Sequence, residues 1–319
     1  MAEKVLFESA QFVLSRPDHT GRTAARSIPA RPPFPVVVGC PRSGTSLLAV
    51  MLDSHPMLAV PPETAFLALV AQLQGAPAGL RERFLEIVTA DRITVSNWSD
   101  FGLDRDKLRR RVEALEPFTV DAGLRTFYAL YAEAAGKPRC GEKTPGYVFV
   151  MPQIAALLPE AHFIHVIRDP GDTALSWRKT WFSPSADLRV LGEGWRHHVE
   201  AGRRAKALVP GYLEVRFENL VREPERELQR LCAYLELPWD AAMLDYRAQG
   251  AARVERLQGR QHARGPMIDR EERTRIHANL TREPDANRVG VWRKEMTAEE
   301  RRELEAAAGP LVHELGYAA

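Results

Sequence analysis

The 319-residue chain has few cysteines, no long apolar run and almost no excess of charge. Its three cysteines, Cys40, Cys140 and Cys232, are widely spaced and match neither a disulfide framework nor a zinc-ligand pattern. No stretch approaches the roughly 18 consecutive apolar residues that a membrane-spanning helix needs. The formal net charge of +2 gives no reason to expect a nucleic-acid or membrane partner.

A secretory leader is not visible at the start of the sequence. Residues 5–14 contain Glu8 and no long apolar run behind basic residues. A hydrophobic content of 45% is enough for a sizeable core. We therefore expect a soluble cytoplasmic protein with one large domain over residues 35–319, preceded by an extended lead-in over residues 1–34. A homo-oligomer is compatible with this composition.

A glycine-rich loop follows the first predicted strand. The apolar run PVVVGC at 35–40 predicts a short buried strand, and a helical pattern begins a few residues later. Between them, GCPRSGTS at 39–46 has the glycine spacing of a phosphate-binding P-loop, G-x-x-x-x-G-K-[ST]. Thr45 replaces the lysine of that pattern, and Arg42 stands inside the loop. Backbone N–H groups and the following helix N-terminus predict an anion site here.

Later segments complete a predicted parallel sheet. Strands are expected at 139–147, 161–170 and 212–217, and the second stops at Arg-Asp-Pro as a buried parallel strand would. Residues 66–135 have mainly helical periodicity. The predicted fold class is therefore α/β, a P-loop-like parallel sheet flanked by helices with a helical acceptor-binding insertion. Residues 246–291 lack clear periodicity and are either a long active-site flap or a partly mobile loop.

A second anion-binding position is predicted after the strand 161–170. Arg168 emerges at the carboxyl edge of the sheet, where open α/β folds bind ligands. Its guanidinium offers a bidentate fork to phosphate, although a salt bridge to Asp169 or Asp172 is the alternative. Asp172 can cap the following helix, which carries Ser176 in its first turns.

The loop PRSGTS at 41–46 resembles the P-[RK]-[ST]-G-[ST]-[ST] loop of sulfotransferases that use 3′-phosphoadenosine 5′-phosphosulfate (PAPS). The resemblance implies PAPS as donor and 3′-phosphoadenosine 5′-phosphate (PAP) as product, with the 5′ end in this loop. It also implies that the arginine and serine of RDPGDTALS hold the 3′-phosphate. NRVGVWRKEMT at 287–297 resembles the family's late G-x-W-[KR] segment. The nucleotide-binding residues implied are Arg42, Ser43, Gly44, Thr45, Ser46, Arg168, Ser176, Arg288, Gly290, Trp292 and Arg293.

The stretch from this loop to PPETAF at 61–66 resembles the tyrosylprotein sulfotransferase branch and related bacterial enzymes. That resemblance implies in-line transfer of a sulfuryl group to an acceptor hydroxyl, with Glu63 as general base. We expect partial burial to raise the pKa of Glu63, whose other expected role is to cap the next helix. Lys143, in GEKTPGY, aligns with the lysine near the bridging oxygen. Lys143 and Arg42 are therefore expected to stabilise the leaving phosphate, without a metal.

Two departures from that branch bear on the acceptor. Ala65 stands where the relatives carry an arginine that helps to hold a peptide, and we expect no secretory anchor like theirs. We therefore expect a small-molecule hydroxyl acceptor, with a peptide tyrosine as the other option. Residues 66–135 and 178–200 are expected to shape its pocket, where aromatic side chains can stack on a ring or pack in the core. Those aromatic residues are Trp177, Trp181, Phe182 and Trp195.

Histidines compete with Glu63 for the role of base. His55, in the turn after the loop helix, is the best placed of them. His165 is expected in the core, whereas His198 and His277 are expected at the surface.

Two other functions compete with sulfate transfer. A P-loop kinase would use Ser46 on Mg²⁺ and Asp169 after an apolar strand, but the missing loop lysine argues against it. A non-catalytic nucleotide-binding module would need neither Glu63 nor Lys143.

Overall fold

The computed structural model describes residues 31–73, 75–93, 95–261 and 267–318. Most of the predicted lead-in, up to residue 30, lies outside these ranges. The strands in the described residues, in chain order, are β1 Phe34–Gly39, β2 Leu58–Ala59, β3 Asp91–Arg92, β4 Ser96–Asn97, β5 Arg139–Cys140, β6 Glu142–Lys143, β7 Ala161–Ile167, β8 Gly211–Arg216, β9 Arg260–Gln261 and β10 Met267–Ile268.

The central sheet is parallel, with strand order β6-β1-β7-β8. β1 pairs with β7 along its whole length, from Phe34 opposite Ala161 to Gly39 opposite Val166. The next strands of this sheet along the chain, β6 and β7, lie on opposite sides of β1. The carboxyl end of β1 is therefore a topological switch point, the place where open α/β sheets bind ligands.

Helices and two hydrophobic cores cover the two faces of this sheet. In β1, Val36 and Val38 pack into one core with Phe66 and Phe127, whereas Val37 packs into the other with Leu48. Because both faces are buried, the strand is a continuous apolar run rather than an alternating one. The predicted α/β fold class is confirmed.

The helices begin and end close to the apolar patterns of the sequence. None of those in the described part of the chain is long and apolar enough to cross a membrane. They are Thr45–Asp53, Leu67–Val70, Pro77–Val88, Trp98–Phe101, Arg105–Glu113, Val120–Ala134, Met151–Leu157, Pro170–Trp177, Leu188–Ala205, Phe217–Arg222, Pro224–Tyr234, Arg247–Glu255, Arg270–His277, Trp292–Glu295, Ala298–Ala308 and Leu311–Glu314, with 3₁₀ turns at Pro145–Phe149, Lys206–Leu208, Ala241–Met243, Ala278–Thr281 and Ala286–Arg288.

The described part of the segment 246–291 is largely helical rather than a loop. Its helices Arg247–Glu255 and Arg270–His277 flank the small β9-β10 pair. The helix Arg270–His277 has no fully buried residue, so an apolar stripe could not reveal it. Buried ion pairs anchor the segment instead: the Arg253 side chain lies 2.9 Å from Asp53 in the loop helix.

A cluster of ion pairs joins this segment to the helical insertion. The Arg260 guanidinium, 1% exposed, pairs with Asp91 and lies 2.8 Å from Oδ1 of Asp100. Arg273 lies 2.6 Å from the other oxygen of Asp100, whose side chain is 2% exposed. One buried carboxylate thus connects two arginines of the C-terminal segment to the helix Trp98–Phe101.

Removing that carboxylate tests the connection. Because Asp100→Ala leaves two arginines short of a partner, we expect it to lower the free energy of unfolding by about 3 kcal/mol, measured by urea titration. This expected loss is at the lower end of the range for breaking a buried ion pair, because Asp91 still contacts Arg260 in the variant. The matched control, Glu116→Ala, breaks a pair with Arg81 in which the carboxylate is 76% exposed. It should lower stability by about 0–1 kcal/mol. Equal losses in both variants would contradict the interpretation.

Candidate anion-binding and catalytic site

The carboxyl edge of the sheet gathers the predicted site residues. The loop 39–46 follows β1, Lys143 ends β6, and Arg168 follows β7. Parallel strands end at the same edge, so residues more than a hundred positions apart in sequence become neighbours there. The contacts between these residues therefore depend on the parallel alignment of β6, β1 and β7.

The loop after β1 forms a concave backbone. Arg42 and Gly44 have positive φ angles, 70° and 103°, on either side of Ser43. A methyl group at Gly44 would overlap the ring of Phe217, so glycine is required there for space as well as for conformation. The helix Thr45–Asp53 starts with neither a side-chain cap nor an acidic residue in its first turn. Its first N–H groups therefore remain available for an anion.

Arg42 adds a partly buried positive charge inside the loop. Its Nε donates to Ser176 Oγ over 3.1 Å, and its Nη2 contacts the Ile276 carbonyl at 3.5 Å. Burial, followed by the charge of Arg168, lowers the pKa of Arg42 to about 10. No carboxylate among the described residues forms an ion pair with Arg42. Ser43 Oγ and Arg168 Nε are also buried without a hydrogen-bond partner in the described chain. This set of donors fits a bound anion.

Arg168 occupies the predicted second anion position. Its guanidinium lies 4.3 Å from the centroid of the Phe217 ring, a cation–π contact. Its Nη1 donates to the Arg42 carbonyl over 3.4 Å, and the Arg168 carbonyl accepts from Trp195 Nε1 over 2.9 Å. The alternative salt bridge to Asp172 is present but long, at 3.8 Å. The arginine is thus oriented mainly by neutral groups.

The predicted capping role of Asp172 is wrong. Pro170 is the first residue of the helix, so the preceding Asp169 is the N-cap and accepts from the Gly171 N–H over 2.7 Å. Asp172 instead accepts from the N–H groups of Gly290, at 2.7 Å, and Trp292, at 3.2 Å. It therefore attaches the late segment to the helix that carries Ser176.

The late segment reaches the second anion position through this attachment. Trp292 packs directly on Gly171, where a methyl group would overlap its ring. Arg293 lies over the Trp292 ring at 4.5 Å and 3.8 Å from Asp169. The Arg288 carbonyl accepts from Arg168, while its half-exposed guanidinium lies 3.9 Å from Asp285. The Arg288 carbonyl therefore contacts Arg168 directly, whereas Gly290, Trp292 and Arg293 contact the residues that follow it, Asp169 to Asp172.

Glu63 and Lys143 form an ion pair next to the loop. Lys143 Nζ lies 2.6 Å from Glu63 Oε1 and donates to Ser46 Oγ over 3.1 Å. The Lys143 side chain is 3% exposed, whereas that of Glu63 is 41% exposed. Asn97, from the insertion, donates to the Glu63 carbonyl over 2.7 Å. The pair therefore joins the loop helix, β6 and the insertion.

Two expectations about Glu63 are wrong. Burial by itself raises its pKa, but the Lys143 ammonium outweighs burial, and the pKa of Glu63 lies below its ordinary value. Glu63 also caps no helix, because the next helix begins at Leu67 with Phe66 as N-cap. For Lys143, burial lowers the pKa and Glu63 partly offsets this effect.

A family model described as the sulfotransferase family matches residues 33–241. The chain belongs to this family. Nodulation protein NoeE of Sinorhizobium fredii (strain NBRC 101917 / NGR234) is 29% identical over 316 residues, covering 89% of this chain and 67% of that protein. The protein-tyrosine sulfotransferase of Drosophila melanogaster is 25% identical over 225 residues, covering 67% of this chain and 40% of that protein.

Solved structures of the family share the fold. The sulfotransferase domain from the Synechococcus PCC 7002 olefin synthase has a TM-score of 0.57 at 19% identity, covering 93% of this chain and 100% of that domain. The domain from the curacin biosynthetic pathway also has a TM-score of 0.57 at 19% identity, covering 90% and 99%.

Some of the histidines of this sulfotransferase lie elsewhere than expected. His55 is fully buried, and its ring contacts the Pro238 carbonyl at 2.9 Å and the Met57 N–H at 3.0 Å, so it holds a turn. His165 is in the core, as expected. His198 is not at the surface but buried in the helix Leu188–Ala205.

The sequence interpretation also placed His277 at the surface and did not identify it as a neighbour of the site. It is half-buried at the end of the helix Arg270–His277, and the charges of Lys143, Glu63 and Arg42 act on its ring. A signal was available, because Asp269 caps this helix by accepting from the Glu272 N–H and D-x-x-E is a helix-start pattern.

The aromatic residues near 178–200 do not all line a pocket. Trp177 and Trp195 are both 1% exposed and belong to a third core of the sulfotransferase. Trp181 and Phe182 pack edge-to-face with centroids 5.2 Å apart. Trp195 contributes to the site indirectly, through its hydrogen bond to Arg168.

Proposed function

We propose that this protein transfers a sulfuryl group from PAPS to the hydroxyl of a small-molecule acceptor. The observation that carries the proposal is a pair of buried donors without a partner in the described chain, Ser43 Oγ and Arg168 Nε, next to Arg42 and the Glu63–Lys143 pair. Relatives named protein-tyrosine sulfotransferases support a hydroxyl as the acceptor group. The absence of their peptide-holding arginine at Ala65 favours a small molecule over a peptide.

The nucleotide would bind across the two anion positions. PAPS supplies the activated sulfuryl group when bound and leaves as PAP. The loop 41–46 would hold its 5′ end through backbone N–H groups and Arg42. Arg168 and Ser176 would hold the 3′-phosphate, with Arg288, Gly290, Trp292 and Arg293 as the surrounding segment. Arg42 already joins the two positions through its bond to Ser176.

Fixed cations would stabilise the leaving phosphate. Lys143 Nζ lies beside Ser46 at the start of the loop helix, and Arg42 lies inside the loop. Lys143 is buried and Arg42 is partly buried, and a charge in such surroundings acts more strongly on a neighbouring charge than it does in water. Together they would supply the electrostatic role that the lysine at the Thr45 position has in P-loop kinases.

Glu63 would take the proton of the acceptor hydroxyl. Its Oε1 is engaged by Lys143, whereas no hydrogen-bond donor of the described chain contacts Oε2. Its lowered pKa keeps the carboxylate ionised at neutral pH, which is the form a base requires. The same cation would thus hold the base in position and neutralise charge on the leaving side.

Nucleotide binding separates this proposal from a kinase. We expect PAP to bind more tightly than ATP with Mg²⁺, measured by calorimetry. Arg168→Ala should weaken PAP binding by about 10- to 100-fold, because a charge-assisted hydrogen bond is lost. The same variant should leave 5′-AMP binding, which lacks the 3′-phosphate, nearly unchanged. Arg178→Ala is the matched control, since Arg178 pairs with Glu300. Tighter binding of ATP with Mg²⁺ would favour the kinase.

Replacing the proposed base tests its role. Glu63→Gln should lower kcat for sulfate transfer from labelled PAPS by about 10²- to 10⁴-fold, because the amide cannot accept a proton. PAP affinity should change little. Glu86→Gln, on an exposed helix position, serves as the control. Near-normal kcat in Glu63→Gln would show that another group is the base.

The pH profile tests the ion pair. Since the pKa of Glu63 lies below its ordinary value, the acid limb of kcat/KM in the wild type should lie below the pH at which an ordinary glutamate titrates. Lys143→Ala removes the lowering cation while burial remains, so the limb should move to higher pH. Circular dichroism at each pH checks that the fold persists. An unchanged limb in Lys143→Ala would mean that Glu63 titrates independently of Lys143.

A further inference from the structure

Three consecutive residues at the carboxyl end of β8 lie next to the turn that carries Arg168. Arg216 is the last residue of β8, which pairs with β7 up to this point. The Phe217 ring lies under the Arg168 guanidinium, with its centroid 4.3 Å away. Glu218 Oε1 accepts from the N–H of Asp169 over 2.8 Å. The end of β8 therefore contacts both the side chain and the backbone of this turn.

Residues 315–317 pack on the same end of β8. The Leu315 carbonyl accepts from Arg216 Nη2 over 3.0 Å, and the Arg216 guanidinium lies 4.7 Å from the centroid of the Tyr317 ring. The Tyr317 hydroxyl donates to Glu218 Oε2 over 2.9 Å. Tyr317 and Glu218 are each only 8% exposed, so water competes little for this hydrogen bond. The two oxygens of one buried carboxylate thus bind Tyr317 and the backbone that follows β7.

A second route connects Tyr317 with Arg168 through Trp195. The rings of Trp195 and Tyr317 pack edge-to-face with centroids 6.4 Å apart, and Trp195 Nε1 donates to the Arg168 carbonyl over 2.9 Å. This carbonyl and the Asp169 N–H that Glu218 accepts from belong to one planar peptide unit. Trp195 and Glu218 therefore hold the two sides of a single peptide plane, and Tyr317 contacts both of them.

That peptide plane includes the Cα of Arg168, from which the side chain leaves the backbone. No close carboxylate orients the guanidinium, since Asp172 is 3.8 Å away. We propose that Tyr317 is a positioning residue that orients Arg168 toward the 3′-phosphate of the nucleotide, acting through Glu218 and Trp195. This inference rests on the proposed function, in which Arg168 binds that phosphate. It requires no contact between Tyr317 and the nucleotide.

Removing one hydroxyl tests this role. Tyr317→Phe keeps the ring and removes only the hydrogen bond to Glu218. We expect it to weaken PAP binding by about two- to tenfold in calorimetry, the factor for one hydrogen bond. Binding of 5′-AMP, which lacks the 3′-phosphate, should stay nearly unchanged. The matched control is Tyr234→Phe, which removes a hydroxyl that donates to the Phe163 carbonyl near the start of β7. It should change neither affinity.

A double variant shows whether Tyr317 acts through Arg168. Because Arg168→Ala already removes the guanidinium, adding Tyr317→Phe to it should have no further effect on PAP affinity. A merely structural role would weaken PAP and 5′-AMP alike, and its effect would add to that of Arg168→Ala. The inference would be overturned by unchanged PAP affinity in Tyr317→Phe, by equal losses for the two nucleotides, or by additivity in the double variant.

The wild type separates this inference from the proposed function. If it binds no PAP, or binds PAP no more tightly than 5′-AMP, the proposed nucleotide site is contradicted and the role of Tyr317 with it. If it prefers PAP but Tyr317→Phe shows no selective loss, only the role of Tyr317 is contradicted.

Discussion

The site depends on two partly buried arginines whose positive charge is only weakly paired within the described part of the chain. Arg42 has no ion-pair partner among the described residues, and Arg168 has a long one. Buried cations are unfavourable unless something compensates them, so the arrangement favours the state in which an anion is bound. Lys143 differs, because Glu63 pairs with it closely. The cations of the two proposed anion positions therefore have no close carboxylate partner, whereas the cation of the proposed catalytic pair has one.

Much of the remaining structure keeps these cations in place. Phe217 packs on Gly44 and lies under the Arg168 guanidinium, so one ring fixes both anion positions. Trp195 bonds to the Arg168 carbonyl from the third core. The Asp172 carboxylate accepts from two backbone N–H groups of the late segment and does not form a close ion pair with Arg168. Aromatic and backbone contacts orient the arginines without cancelling their charge.

The proposed acceptor side is assembled from segments that are distant in sequence. The insertion supplies Asn97 and Asp100, and the C-terminal segment supplies Arg260, Arg273 and His277. Buried ion pairs, rather than an apolar interface, connect them. Such pairs require specific partners and geometry, so they fix the helix Arg270–His277 against the insertion.

The amino-acid sequence predicts the parallel sheet and the glycine-rich loop because each is a local pattern, an apolar run or a glycine spacing, whereas the candidate nucleotide-binding residues are implied by the resemblance to a family. Only the tertiary structure shows which hydrogen-bond and ion-pair partners these residues have. Asp172 binds Gly290 and Trp292 instead of capping its own helix, and Lys143 lowers the Glu63 pKa that burial would raise. Hydrogen bonds and charge interactions act through space, so a residue's neighbours in sequence do not specify them.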